Sequence, residues 1–202
     1  MTARFYVTGT DTDVGKSLVT AAVAGVLRER HGAATVVKIA QTGLDAAEPG
    51  DAQQAAELAG CAWRELARFP QPADPWTAAL AVGAEPLRAG DAADAIGAIS
   101  GPLVAEGSGG AAVPLNEDEA ISDVAVRCGL RAVLVVGLRL GCLNHATLTL
   151  EYLTRRGVPV DAIVLCERWG SDAAYLRDVR RVLERTGIVL ATVPFAPQPE
   201  AR

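Results

Sequence analysis

VTGTDTDVGKS, residues 7–17, follows the apolar run Phe5-Tyr6-Val7 and runs into a segment with helical spacing. A glycine-rich turn between a strand and a helix aims backbone N–H groups at an anion, and the helix N-terminus adds positive potential there. In such a loop Lys16 reaches the terminal phosphates of a nucleotide and the Ser17 hydroxyl ligates Mg²⁺. Five residues separate Gly9 from Gly15, one more than in the usual G-x-x-x-x-G-K-[ST] pattern. The plain alternative is a strand–helix turn that happens to carry a lysine. The strand–loop–helix context is the one the phosphate mechanism needs, so the phosphate reading is the stronger.

Outward from the loop, short apolar runs alternate with helical patterns. The first run is Phe5 to Thr8. From Lys16 to His31, Leu18, Val19, Ala22, Val23, Val26 and Leu27 recur with helical period, and Gly32 marks a stop. Thr35 to Ala40 is a β-branched run, Ala52 to Leu58 a short helix ended by Gly60, and the prolines at 70, 72 and 75 mark loop. A helical pattern covers Pro86 to Ile99. Apolar runs at Leu103 to Ala105, Ala132 to Gly137, Asp161 to Cys166 and Ile188 to Val193 read as strands covered on both faces. Helical patterns fill the gaps at Ser122 to Cys128, Asn144 to Arg156 and Asp172 to Thr186. This alternation predicts an α/β fold with a mostly parallel central sheet flanked by helices, in one domain over residues 1–202. Ligands of such sheets collect beyond the carboxyl ends of the strands.

Composition narrows the function classes. The net charge of −5 argues against a nucleic-acid partner. Cys61, Cys128, Cys142 and Cys166 form no CxxC pair, and His31 and His145 are far apart, which argues against zinc. The opening Thr2-Ala3-Arg4 leads straight into a strand-like run with no signal-peptide pattern, and Ala132 to Leu138 is too short to cross a bilayer. A cytoplasmic protein without membrane contacts is the expectation.

Three further strand ends carry polar residues. Lys38 interrupts the run VVKIA, where an unpaired charge is expensive. It either meets an anion or snorkels from an edge strand, and alone the second reading is favoured. Thr42 alone reads as a turn residue, and Asp51 as a helix N-cap. In LVAEGSGG, residues 103–110, Glu106 follows a strand and precedes a glycine-rich turn. Mg²⁺ takes oxygen ligands, often one or two carboxylates besides phosphates. Ser17, Asp51 and Glu106 together make a coherent Mg-nucleotide site at successive ends of one sheet.

Taken together, these segments resemble the dethiobiotin synthetase family, which has a P-loop NTPase fold. VTGTDTDVGKS is similar to that family's VTGTDTxVGKT, extra residue included. KIAQTG resembles KPVxTG, AEGSGG resembles VEGAGG, and GLRLGCLNHATLTLE, residues 137–151, resembles GxxLGxxNHxxLT. The resemblance implies ATP-dependent closure of 7,8-diaminopelargonic acid and CO₂ to dethiobiotin, through a carbamate and a carbamic-phosphoric anhydride. It implies catalytic roles for Lys38, Lys16 and Thr12. It implies a nucleotide held by Asp13, Val14, Gly15, Lys16, Ser17, Leu18, Asp51, Glu106, Gly107, Ser108 and Gly109, with Pro194, Phe195 and Ala196 on the base side. Thr42, Gly110, Leu143 and Asn144 would meet the substrate, the last two across a homodimer interface. For Asn144 an ordinary helix N-cap is an equally weighted reading.

The chain departs from the family pattern at Ile39, where a proline is usual, at Ser17 for threonine and at Ser108 for alanine. LCERWG, residues 165–170, places Glu167 and Arg168 near where many relatives carry an Asn-Asp pair that reads adenine, so another nucleoside triphosphate is a candidate. The chain ends without the family's closing helix, which predicts a more open base side. The rival readings are a divergent P-loop paralogue without synthetase activity and a partitioning- or septum-type switch ATPase. The switch ATPase carries a signature lysine five residues before the loop lysine, and that position is Asp11.

Overall fold

The computed structural model describes residues 2–167 and 172–194. In chain order the elements are β1 (Arg4–Gly9), α1 (Lys16–His31), β2 (Thr35–Lys38), β3 (Gln41–Thr42), α2 (Asp51–Ala59), β4 (Ala62–Glu65), β5 (Arg68–Phe69), α3 (Pro75–Ala81), α4 (Ala89–Gly97), β6 (Leu103–Gly110), α5 (Ser122–Cys128), β7 (Arg131–Gly137), α6 (Cys142–Arg155), β8 (Val160–Cys166), α7 (Ala173–Glu184) and β9 (Val189–Val193). Seven strands form one sheet in the order β4-β2-β6-β1-β7-β8-β9, and β3 pairs with β5 in a small second sheet. Every pairing between these strands is parallel. The α/β expectation with a P-loop-like parallel sheet is therefore met.

The apolar runs explain why these strands lie in the middle. Tyr6 and Val7, Val36 and Val37, and Val104 and Ala105 are all buried, although neighbours along a strand point to opposite faces. On one face Tyr6, Val37, Ile39, Leu103 and Ala105 pack with Ala92, Ile96, Val124 and Leu153 from α4, α5 and α6. On the other, Val7, Val36, Val104, Val133 and Val135 pack with Val19, Leu27, Ala52 and Ala55 from α1 and α2. Alanine dominates the buried side of α2, which lets that helix lie close to β2 and β4.

Several boundaries differ from the sequence expectation. Pro75 does not mark loop: it is the first helical residue of α3, with Asp74 as N-cap accepting from Thr77 N at 2.9 Å. Proline suits that position because the missing N–H would have no helical partner. The edge strand β4 was not anticipated; Ala62, Trp63 and Arg64 are exposed, so it carries no buried pattern. The segment GSGG is not a turn but the second half of β6. A side chain at Gly107 would begin 2.8 Å from the Tyr6 hydroxyl, so the strand runs on only because glycine leaves that space clear.

The helix expected from Pro86 begins at Ala89, and its N-cap residue Arg88 provides no side-chain cap. Glu119 fills that role from thirty residues away. Its carboxylate accepts from Ala89 N at 2.9 Å, Asn116 Nδ2 at 2.7 Å and Arg127 Nη2 at 2.9 Å. Chiefly through the Ala89 N–H, and then through Asn116 and Arg127, these bonds hold Glu119 below the usual carboxylate range. A carboxyl whose folded pKa is lowered stabilises the fold above its unfolded value and ceases to do so as pH falls through the folded one. Glu119→Gln should therefore lower stability by about 1–2 kcal/mol at neutral pH. The difference from wild type should close in acid, as followed by urea midpoints at several pH values.

Candidate active site

The loop of residues 9–17 is shaped by local packing. Gly9 lies beneath Val14: a Cβ there would stand 2.7 Å from Val14 Cγ2. Gly15 has φ +101° and faces Cys166. Asp13 is the one non-glycine residue with positive φ among the described residues, at +57°, a conformation aspartate tolerates better than most. Lys16 Nζ donates to the Asp11 carbonyl at 2.9 Å, which curls the lysine back over its own loop. The Asp11 carboxylate accepts from Thr12 N at 2.7 Å and pairs with Arg139, which tethers the loop to the segment after β7.

The neighbouring strands bring the other charges. β2 lies between β4 and β6, and in its register Lys38 stands directly opposite Glu106. Lys38 Nζ is 2.7 Å from Glu106 Oε1, 2.6 Å from Asp51 Oδ2 and 3.1 Å from the Gly107 carbonyl. Ser17 Oγ donates to the same Glu106 oxygen at 3.1 Å. Lys38 is 2% exposed and Glu106 wholly buried, so Lys38 does not snorkel from an edge. Asp51 is not an N-cap either: Gly50 holds that place, and Asp51 opens α2 with its carboxylate turned to Lys38.

Electrostatics separate the two lysines. Burial alone would lower the pKa of Lys38, but the charges of Glu106 and Asp51 outweigh it and raise the pKa. Burial pulls Lys16 down to about 8, and the Lys38 charge adds to the fall, against weaker support from Glu106, Asp51 and Asp13.

All of these groups face one cavity of about 1040 Å³. Thr12, Asp13, Gly15, Lys16, Ser17 and Leu18 line it from the loop, and Lys38, Thr42, Asp51, Glu106, Ser108 and Gly109 from the other strand ends. Val14 is buried beneath the loop. Gly107 offers its carbonyl to Lys38, and Gly110 pairs with Gly9 at the end of β1. Glu167, Val193 and Pro194 close the far side. Phe195, Ala196 and Arg168 lie outside the described residues. Leu143 and Asn144 are not brought into the cavity. They sit in the first turn of α6, whose N-cap is Gly141 at φ +89°, so Asn144 does not cap that helix.

Sequence reading missed Gln41 and the segment Pro72-Ala73-Asp74, which also line the cavity. Gln41 lies between Lys38 and Thr42 in the quoted motif, and a buried amide at a strand end was the available signal. The donor set suits a hard cation. A hydroxyl and two carboxylates converge, and Glu106 Oε2 is buried without a hydrogen-bond partner. No group of three His, Cys, Asp or Glu residues gathers among the described residues, as zinc would ask.

A family model described as an AAA domain matches residues 3–201. The ATP-dependent dethiobiotin synthetase BioD of Saccharopolyspora erythraea is 40% identical over 163 residues, covering 79% of this chain and 71% of that protein. The same-named protein of Rhodopseudomonas palustris is 41% identical over 167 residues, covering 81% and 75%. Among solved structures, a ParA family ATPase from Chlorobium tepidum superposes with a TM-score of 0.58 at 15% identity, over 99% of this chain and 86% of that one. A nucleotide-binding protein in complex with ADP from Archaeoglobus fulgidus gives 0.55 at 15% identity, over 96% and 82%. The structural likenesses establish a shared fold, and the sequence relatives go further: the chain belongs to the dethiobiotin synthetase family.

Proposed function

We propose that the protein closes the ureido ring of dethiobiotin from 7,8-diaminopelargonic acid, CO₂ and ATP, releasing ADP and phosphate. The observation that carries this reading is the meeting of Lys16, Lys38, Asp51 and Glu106 beside one cavity, where a nucleotide loop and a buried ammonium face the same space. One substrate amine adds to CO₂ and loses a proton, giving a carbamate. A carbamate oxygen then attacks the γ-phosphorus and ADP leaves. The second amine attacks the carbamoyl carbon, and phosphate leaves as the ring closes. Each stage gathers negative charge in a small volume, so the protein's part is positioning and charge stabilisation.

Lys16 holds the terminal phosphates, with Thr12 and Asp13 beside it. Lys38 faces the carbamate and the phosphoryl group in transfer. Thr42 orients the diamine. Ser17, Asp51 and Glu106 would hold Mg²⁺, which would supply positive charge to the triphosphate. A cation on those carboxylates would leave Lys38 N–H donors available to the carbamate. Gly107, Ser108 and Gly109 flank the phosphates, and Val193 and Pro194 flank the base. Leu143 and Asn144 stand outside the cavity, while Leu140 just before them is 92% exposed. Both facts fit a homodimer in which this turn meets the substrate of a second copy.

Phosphate release with Mg²⁺, bicarbonate and the diamine, measured with ATP, CTP and GTP in parallel, tests the reading. It should require the diamine and yield dethiobiotin by mass; release indifferent to the diamine would point to a switch ATPase. Lys38→Ala should cut kcat by about 10²–10³ while nucleotide Kd changes far less, and loss of nucleotide binding instead would move Lys38 to a different role. The triphosphate binds the charged form of Lys16. Nucleotide affinity should therefore hold steady below pH 8 and decline as pH rises through that value. Lys16→Arg, which stays charged, should bind without that decline, and titrations with a fluorescent nucleotide on both sides of pH 8 read this out.

A further inference from the structure

The start of α2 poses a question that its own sequence does not answer. Gly50 is its N-cap and has no side chain to cap with. Asp51 is the first helical residue, and the first N–H groups of a helix have no partner within it. The acceptor comes from Gln41, ten residues earlier: its Oε1 accepts from Asp51 N at 2.9 Å. The other end of the same amide is also used, since Gln41 Nε2 donates to the Thr42 carbonyl at 3.2 Å. Gln41 is 4% exposed and sits on β3, three residues from Lys38 and next to Thr42.

The surroundings leave this amide little freedom. A Cβ at Gly50 would stand 3.1 Å from Gln41 Oε1 and closer still to the Glu65 and Arg68 side chains. Arg68 grips Glu65 through Nε and Nη2, each at 2.8 Å, and donates through Nη1 to the carbonyls of Asp45 and Glu48 at 2.7 and 3.0 Å. The loop leading into α2 is thus clasped from beneath, and Gln41 fixes its last peptide from the side.

We propose that Gln41 is a positioning residue: its amide ties the first peptide of α2, and so the Asp51 carboxylate, to the Thr42 strand end. One side chain thereby sets the spacing between the carboxylate that faces Lys38 and the residue that faces the diamine. The proposal rests on the reading of Asp51 as a Mg²⁺ ligand. A group that orients a metal ligand without touching the metal can change metal affinity by roughly tenfold or more.

The experiment is a double-mutant cycle with Gln41→Met and Asp51→Asn, read by the Mg²⁺ dependence of fluorescent-nucleotide binding in the absence of diamine. Gln41→Met should raise the Mg²⁺ concentration for half effect by roughly tenfold, leave Mg²⁺-free nucleotide binding unchanged, and add nothing in the Asp51→Asn background. A wild-type Mg²⁺ titration in Gln41→Met overturns the proposal. So does an equal loss in both backgrounds, which would mark a general structural effect, and so does wild-type nucleotide binding indifferent to Mg²⁺. Amide hydrogen exchange on the wild-type protein needs no variant: the Asp51 amide should be protected, and exchange at the rate of a free peptide overturns the proposal even if Gln41→Met does not fold. None of these measurements uses the diamine, so failure of diamine-dependent turnover would remove the synthetase reading and leave this one standing.

Discussion

Lys38 and Glu106 face each other across two central strands, with almost no water at either. Removing a charge from water is expensive, and a buried pair is tolerated only when geometry and further hydrogen bonds compensate both partners. Here the ammonium has Glu106, Asp51 and the Gly107 carbonyl, while Glu106 also accepts from Ser17. Four segments of chain are thereby constrained: the start of α1, the end of β2, the start of α2 and the middle of β6. Truncating one partner would leave the other buried with its charge only partly compensated, Lys38 by Asp51 and the Gly107 carbonyl, or Glu106 by the Ser17 hydroxyl. The arrangement does little for stability compared with an apolar core of equal volume, so its presence at the cavity is better understood through the anions it can meet.

Much of the fold could be read from the chain because the dominant signals were local. The buried strands are unbroken apolar runs, α1 has helical spacing and a glycine stop, and the strand–loop–helix context marks the phosphate loop. What escaped reading is non-local. The edge strand β4 has no buried pattern, and β3 and β5 are two residues long and pair as strands only with each other. Lys38 was ambiguous for the same reason. Its neighbours in sequence are apolar, and its partners are 13 and 68 positions away, visible only once the register of β2 against β6 is known. Asp51 and Asn144 each resembled an N-cap by residue type, yet in both helices a glycine takes that position.

A common device underlies two of those surprises. α2 and α4 each begin at a residue that provides no side-chain cap, and each receives an acceptor from elsewhere: Gln41 for Asp51, Glu119 for Ala89. A local cap stabilises a helix wherever that helix happens to be. A remote one does so only when the helix is docked, so it specifies placement as well as helicity. In α2 the docked end carries the Asp51 carboxylate, where a small displacement would matter most.

The strand order also bears on how the chain comes into being. β1 pairs only with β6 and β7, so the first strand made has no neighbour until residues 103–110 arrive to lie between it and β2. Before that point β2 can pair with β4 and β3 with β5, but β1 and the VTGTDTDVGKS loop that follows it have no strand beside them during synthesis. Parallel pairings over such separations form slowly. The chain therefore passes through a stage, set by topology alone, when nearly half of it has emerged from the ribosome and its nucleotide loop still has no sheet to stand on.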